Sequence, residues 1–95
     1  MTASPTISKH FPLGRLVITA TAADELHPAD VRDALHRHAR GDWGELKPDD
    51  IAENERALRD GERLFSVYQD RYQKRFYVIT EADRSVTTCL LPEDY

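Results

Sequence analysis

The hydrophobic pattern of this chain changes period along its length. Over residues 63–91 (RLFSVYQDRYQKRFYVITEADRSVTTCLL) the positions alternate in three short runs. Leu64, Ser66 and Tyr68 alternate with Phe65, Val67 and Gln69. Arg75, Tyr77 and Ile79 alternate with Phe76, Val78 and Thr80. Val86, Thr88 and Leu90 alternate with Thr87, Cys89 and Leu91. A period of two predicts three strands. Residues 70–73 and 81–85 predict the turns, and Pro92 ends the last strand because it has no N–H for a ladder. The expected inward set is Phe65 and Val67, Phe76 and Val78, and either Cys89 with Leu91 or Val86 with Leu90.

Upstream, Leu16, Val17 and Ile18 form an apolar run without alternation. Such a run predicts a short strand over 13–19 that is covered on both faces or lies at the sheet centre. Between these strands the period lengthens. Thr21 to Asp24 resembles a capping start and opens a turn or two of helix through Leu26. Pro28 suits the first position of a second helix, over 28–40, stopped by Gly41. Val31, Ala34, Leu35, His38 and Ala39 fall on its inner side. Pro48, with Asp49 and Asp50 in the first turn, starts a third helix that ends at Gly61. Its inner stripe is Ile51, Asn54, Ala57 and Leu58. Gly41-Asp42-Trp43-Gly44 joins the last two helices, with Trp43 expected to plug inward.

The order is therefore β-α-α-β-β-β, with an extra turn of helix after the first strand. Strands adjacent in sequence usually pair. The expected fold is α+β: an antiparallel four-stranded sheet, made of a C-terminal three-stranded meander plus the N-terminal strand. Two main helices pack on one face. Residues 11–95 are one domain, preceded by a polar and flexible arm over 1–10.

Composition narrows the function classes. Net charge is −4, which argues against non-specific binding to a phosphate backbone, since that needs a basic face. No apolar run approaches the ~18 residues of a membrane span, and the first residues have no apolar signal core. The expected location is the cytoplasm, away from membranes. The single cysteine, Cys89, lies in an apolar strand and reads as a small buried hydrophobe. His36 and His38 are two apart on a helix and point to different faces, and no zinc spacing exists. No metal or cofactor is expected.

Three surfaces carry candidate chemistry. Arg71, Lys74 and Arg75 cluster with Tyr68, Tyr72 and Tyr77, a cation-and-ring mixture of the kind that holds single-stranded nucleic acid. Edge protection explains the same residues without a ligand. The turn over 80–85 is denser in polar groups than a hairpin requires. Asp83 and Ser85 suit side-chain turns, and Glu81 or Asp83 can pair with Arg84 or Arg63. In a functional version Arg63, Lys74 and Arg84 hold phosphate, while His27 or His38 acts with Glu81 as acid and base. That layout is analogous, at the level of fold only, to small metal-independent ribonucleases of the barnase and RelE type. The third helix presents Asp49, Asp50, Glu53, Glu55 and Asp60, either as a solvated face or as a dock for a basic partner.

Gly41-Asp42-Trp43-Gly44, then Asn54, Ala57-Leu58, Gly61, Arg63, Ser66 and Tyr68, then Ile79-Thr80-Glu81-Ala82-Asp83-Arg84-Ser85, Thr87-Thr88, Leu90-Leu91-Pro92 and Tyr95 carry a resemblance. Together they resemble a family of small uncharacterised proteins of bacterial plasmids and other mobile elements. The resemblance spans nearly all of the chain from Phe11, and its specific parts are the GDWG and ITEADRS runs. It implies a mobile-element accessory protein and brings no catalytic residue with it.

The expected function is that of a small non-enzymatic interaction protein of a bacterial mobile element. It binds a protein partner, with inhibition of a host nucleic-acid defence system as the specific version. The alternative is a small metal-independent ribonuclease or RNA-binding domain. Candidate catalytic residues are Glu81, Arg84 and His38. Candidate binding residues are Asp83, Arg84, Arg63, Lys74, Trp43, Asp49, Asp50 and Glu53. A homodimer through an exposed edge strand is also compatible with this pattern.

Overall fold

The structure, a computed structural model, describes residues 11–95; the arm expected over residues 1–10 lies outside them. The elements run β1 (Arg15–Ile18), α1 (Ala20–Glu25), α2 (Pro28–Ala39), α3 (Pro48–Asp60), β2 (Leu64–Gln69), β3 (Arg75–Thr80) and β4 (Val86–Leu90). A 3-10 turn, Pro92–Asp94, closes the chain.

The α+β class and the four-stranded sheet are as expected, but the sheet is mixed. Its order is β1-β4-β3-β2. The β2–β3 and β3–β4 pairs are antiparallel, whereas β1 runs parallel to β4. The reason lies in the connection. A helical crossover returns the chain to the end from which it left, so β2 starts in the direction of β1. Two hairpins later β4 again runs that way, and β1 joins it as a parallel edge.

β1 is neither central nor covered, contrary to the reading of its unbroken apolar run. It is an edge strand, and Leu16, Val17 and Ile18 are all exposed. The helices pack by the other strands, α1 by β4, α2 by β3 and α3 by β2. Helix α1 begins immediately after β1 and is capped by Thr19 rather than Thr21, the Thr19 Oγ1 accepting from Ala22 N at 3.2 Å. Helix α2 is capped by His27, whose Nδ1 accepts from Ala29 N at 3.2 Å. Helix α3 ends on Gly61 in the left-handed region, as its sequence predicts.

The inner face of the sheet carries Leu64, Ser66 and Tyr68, then Phe76, Val78 and Thr80, then Thr87, Cys89 and Leu91, all buried. Ala22, Leu26, Val31 and Ala34 pack on it. The choice of Cys89 with Leu91 is thus made, but the parity expected for β2 is reversed. Pairing of Ser66 with Val78 and Tyr68 with Phe76 sends Phe65 and Val67 to the other face. Parity was hidden because both faces of β2 are covered, one by helices and one by the chain's own C-terminus. Phe65 and Tyr77 meet there at 4.7 Å between ring centroids, and Tyr95 packs edge-on against both. A second cluster of Phe11, Trp43, Ala57 and Leu64 fills the space under α3.

Candidate functional site

The far edge of the sheet is closed by side chains and loops. Trp43 O accepts from Val67 N at 3.2 Å, and Glu45 N donates to Val67 O at 2.7 Å. The chain passes so close that a Cβ on Gly44 would lie 1.9 Å from Val67 O, and Gly44 has φ +75°. One step along, Asn54 Nδ2 donates to Phe65 O at 2.5 Å, while Asn54 Oδ1 accepts from Phe65 N at 3.2 Å. A buried carboxamide on α3 thereby takes the place of a neighbouring strand. So α3 seals an edge as well as adding Ala57 to the core, a task beyond the helix-on-face role expected of it. Trp43 is the expected plug, buried, with its Nε1 donating to Glu55 Oε2 at 2.8 Å.

The dense turn over 80–85 is explained by tethers. Arg84 sits at φ +62°. Its Nη1 donates to Glu62 O at 2.7 Å and to Glu81 O at 3.1 Å, and its Nη2 reaches Ala57 O at 3.4 Å. The guanidinium thus ties the C-terminal end of α3 to the β3–β4 turn. Asp83 Oδ1 accepts from Ser85 N at 3.0 Å and from Ser85 Oγ at 2.6 Å, which holds its carboxyl below the usual range. Glu81 faces Arg63 at 3.7 Å.

His38 is wholly buried beneath this turn. Its Nδ1 lies 2.6 Å from Ser66 Oγ and its Nε2 lies 2.9 Å from Thr80 Oγ1. Thr80 Oγ1 is 2.7 Å from Thr87 Oγ1, which donates to Leu13 O at 2.7 Å. The direction follows from the end of the chain. Thr87 spends its proton on Leu13, so Thr80 donates to Thr87. His38 Nε2–H then donates to Thr80, and the bare Nδ1 accepts from Ser66. Burial, with Arg84 adding a smaller push, drives the imidazole pKa down to about 3. His38 is a neutral link between α2 and three strands, out of reach of any solvent-borne substrate. It does not form an acid–base pair with Glu81.

The cations proposed to share a phosphate are not brought together. Arg63 and Arg84 lie at one end of the sheet, and Lys74 lies beyond the other end of β2, a strand length of ~20 Å away. Lys74 Nζ is bound to Glu25 Oε1 at 2.7 Å. Its neighbours at the hairpin tip are engaged too. Arg71 Nε and Nη2 both reach the Asp30 carboxylate at 3.0 Å, which pulls the Asp30 pKa down to about 2. Arg75 faces Glu45 at 3.7 Å. Asp70 organises the tip by accepting from the backbone N–H of His27, Tyr72 and Lys74. The tip is fastened to the helical layer, and its charges are met from within the chain. Between these parts, Asp30, Asp33, Arg37, Tyr68 and Arg71 line a shallow depression of ≈340 Å³.

The structure does assemble a different set. A groove of ≈420 Å³ between α3 and the C-terminus is lined by Leu46, Asp50, Glu53, Asn54, Arg63, Phe65 and Tyr95. It joins three of the expected binding residues, Asp50, Glu53 and Arg63, to two aromatic side chains. Arg63 lies against the Tyr95 ring, 5.7 Å from its centroid, and its Nη1 donates to Tyr95 Oη at 3.3 Å. Glu53 is paired with Arg56, which lowers its pKa. Asp49 and Asp50 take part in no ion pair among the described residues. Alternation alone does not say which face of β2 meets the helices, so the sequence points Phe65 to the core rather than to this groove. The signal for the sealing role of Asn54 was its place on an apolar helix stripe, since a buried amide needs partners.

Burial pushes the Cys89 thiol up to about 12, which makes it inert as a nucleophile. Among the described residues no group of three or more His, Cys, Asp or Glu side chains is placed to hold a metal ion, and no helix is long and apolar enough to cross a membrane. Comparison of the chain with protein-family models, with curated proteins and with solved structures found no match.

Proposed function

We propose that this chain is a non-enzymatic interaction protein that docks a basic segment of a partner protein in the groove between α3 and Tyr95. The observation that carries the reading is the composition of the groove. Carboxylates of Asp50 and Glu53 stand beside the half-buried ring of Phe65 and the exposed ring of Tyr95. A lysine or arginine of a partner gains from both, by charge-assisted hydrogen bonds and by contact with a ring face. Asp49, one helical turn before Glu53 on α3, adds negative charge nearby. Arg63 fixes Tyr95 and so shapes the wall.

The resemblance to mobile-element proteins supports a bacterial, cytoplasmic setting. A host nucleic-acid defence protein, which must expose a basic surface, is the partner class that suits such a groove. The ribonuclease alternative has less support, because Arg63, Arg84 and Lys74 do not converge and His38 is sealed in the core.

Titration of the full chain with an arginine-rich peptide, followed by backbone NMR, tests this reading. Shifts should concentrate at Asp50, Glu53, Phe65 and Tyr95, and a glutamate-rich peptide of equal length should leave them unmoved. The double reversal D50K/E53K should weaken peptide binding about tenfold or more. Shifts spread evenly over the surface, or binding indifferent to the reversal, overturn the reading. So does cleavage of RNA by the purified, folded chain.

A further inference from the structure

The two edges of this sheet are treated in opposite ways. The β2 edge is sealed at Phe65 by Asn54 and at Val67 by Trp43 and Glu45. The β1 edge carries no such device among the described residues. It displays Leu16, Val17 and Ile18 at 55%, 36% and 41% exposure. Its inward backbone groups are used, Arg15 N donating to Ser85 O at 2.9 Å and Thr19 N to Cys89 O at 3.1 Å. Strand alternation then directs the N–H and C=O of Leu16 and Ile18 to the free edge. Natural edges are normally blunted by charge, proline, a bulge or a cover, and this one is apolar.

We propose that the β1 edge is occupied by a second copy of this chain, paired antiparallel about a two-fold axis at Val17. Two four-stranded sheets then form one continuous sheet. Leu16 of one copy exchanges both backbone hydrogen bonds with Ile18 of the second, and Val17 faces Val17 across the axis.

Charge favours this direction and this register. Arg15, Val17 and Thr19 share one face by alternation. The antiparallel pair sets Arg15 opposite Thr19 of the second copy. Thr19 Oγ1 donates to Asp94 Oδ2 at 2.7 Å, so a carboxylate waits at that point. Hydrogen bonds from Thr21, Thr19 and Leu91 hold the Asp94 carboxyl below its usual range and keep it ionised. Among the described residues Arg15 has no ion-pair partner. The two-fold makes the Arg15–Asp94 contact twice. Parallel pairing instead stacks Arg15 on Arg15.

The sealing of the β2 edge gives the assembly an end. With one open edge per copy the contact closes on itself as a dimer, whereas two open edges propagate into fibres. The groove by α3 opens at the opposite, β2 edge of the sheet, so this proposal does not rest on the docking reading. A ladder this short belongs with small, transient interfaces, so it is read at high chain concentration.

Sedimentation velocity on the full chain, from micromolar to millimolar concentration, should show monomer passing to dimer and no larger species. Val17→Lys and Val17→Glu should each be monomeric throughout, because like charges then meet on the axis. An equimolar mixture of the two should dimerise again. Hydrogen exchange at the Leu16 and Ile18 amides should slow as concentration rises. A wild-type chain that stays monomeric overturns the proposal, and so do variants that dimerise singly or a mixture that fails to pair. Protection of both amides in the monomer, independent of concentration, overturns it by showing that a segment of the same chain occupies the edge.

Discussion

The carboxamide of Asn54 makes both hydrogen bonds to the backbone of Phe65 that an adjacent strand would make, Nδ2 to Phe65 O and Oδ1 from Phe65 N. One side chain therefore satisfies a donor and an acceptor that the end of a sheet otherwise leaves open. Asn54 is buried at 6% exposure, so water does not replace it freely. Asn54→Ala should destabilise the chain by about 1–3 kcal/mol, the range for stranding buried polar groups. Asn54→Asp should be at least as damaging, since it sets a carboxylate oxygen against Phe65 O. Urea unfolding at neutral pH measures both. An unchanged midpoint for Asn54→Asp removes the edge-sealing role.

Gly44 is the other part of that seal. Any side chain there meets Val67 O, at 1.9 Å for an ideal Cβ, on a backbone with φ +75°. Both objections act together, steric overlap with a backbone atom and a left-handed conformation. Gly44→Ala should cost about 3 kcal/mol in urea unfolding, while Gly61→Ala should cost about 1 kcal/mol, because Gly61 is left-handed but open around its Cα. Equal effects at the two positions would remove the close approach as the cause.

These two residues also show where sequence stopped being informative. The strands of the second half, the start of α3 at Pro48 and its end at Gly61 were legible, because each is written in local period or local capping chemistry. The inward packing of Trp43 was legible from its size between two glycines. The place of β1 was not. An unbroken Leu16-Val17-Ile18 run looks the same whether covered or left open, and only the direction of the crossover makes it a parallel edge. The parity of β2 was lost because Val67 and Ser66 are both buried, on opposite faces. Of the expected site, Asp50, Glu53 and Arg63 do meet. Arg84 and Asp83 stand out as polar residues in a dense turn and His38 as a candidate acid or base on a helix stripe, and the structure uses all three to hold this end of the sheet together. Which carbonyl an arginine reaches is a non-local fact that spacing does not encode.

Arg84 separates backbone from side-chain effects. Its guanidinium holds Glu62 O and Ala57 O at the end of α3, while its own backbone sits at φ +62°. Arg84→Ala loses the tether and keeps the strained backbone. Arg84→Gly loses the tether and relieves the strain. Both should destabilise, and the glycine variant should be the more stable of the two by roughly 1 kcal/mol. Thermal melts of the pair decide it. A glycine variant less stable than the alanine one would mean that the turn is unstrained at this position.

His38 makes stability depend on pH in a window above that of the carboxylates. In the unfolded chain its imidazole takes up a proton near pH 6.5, whereas the folded chain refuses that proton until about pH 3. The folded pKa is the lower one, so the unfolded state binds more protons in between. Stability is full above about pH 6.5 and is lost as pH falls, by about 1.4 kcal/mol per pH unit. The hydrogen-bond chain supplies the structural reason. A proton on Nδ1 turns that atom into a donor facing Ser66 Oγ, which then has to send its own proton elsewhere in the core. Carboxylates held low by hydrogen bonds, such as Asp30, Asp94 and Glu53, add their losses below about pH 5. Urea unfolding between pH 7 and about pH 5.5 therefore isolates the histidine. Wild type should lose stability steadily across that range. His38→Gln keeps an amide donor and an acceptor but has no titrating group, so it should be less stable at pH 7 and nearly flat below it. A wild-type profile that is level from pH 7 to about pH 5.5 contradicts a neutral, proton-refusing His38.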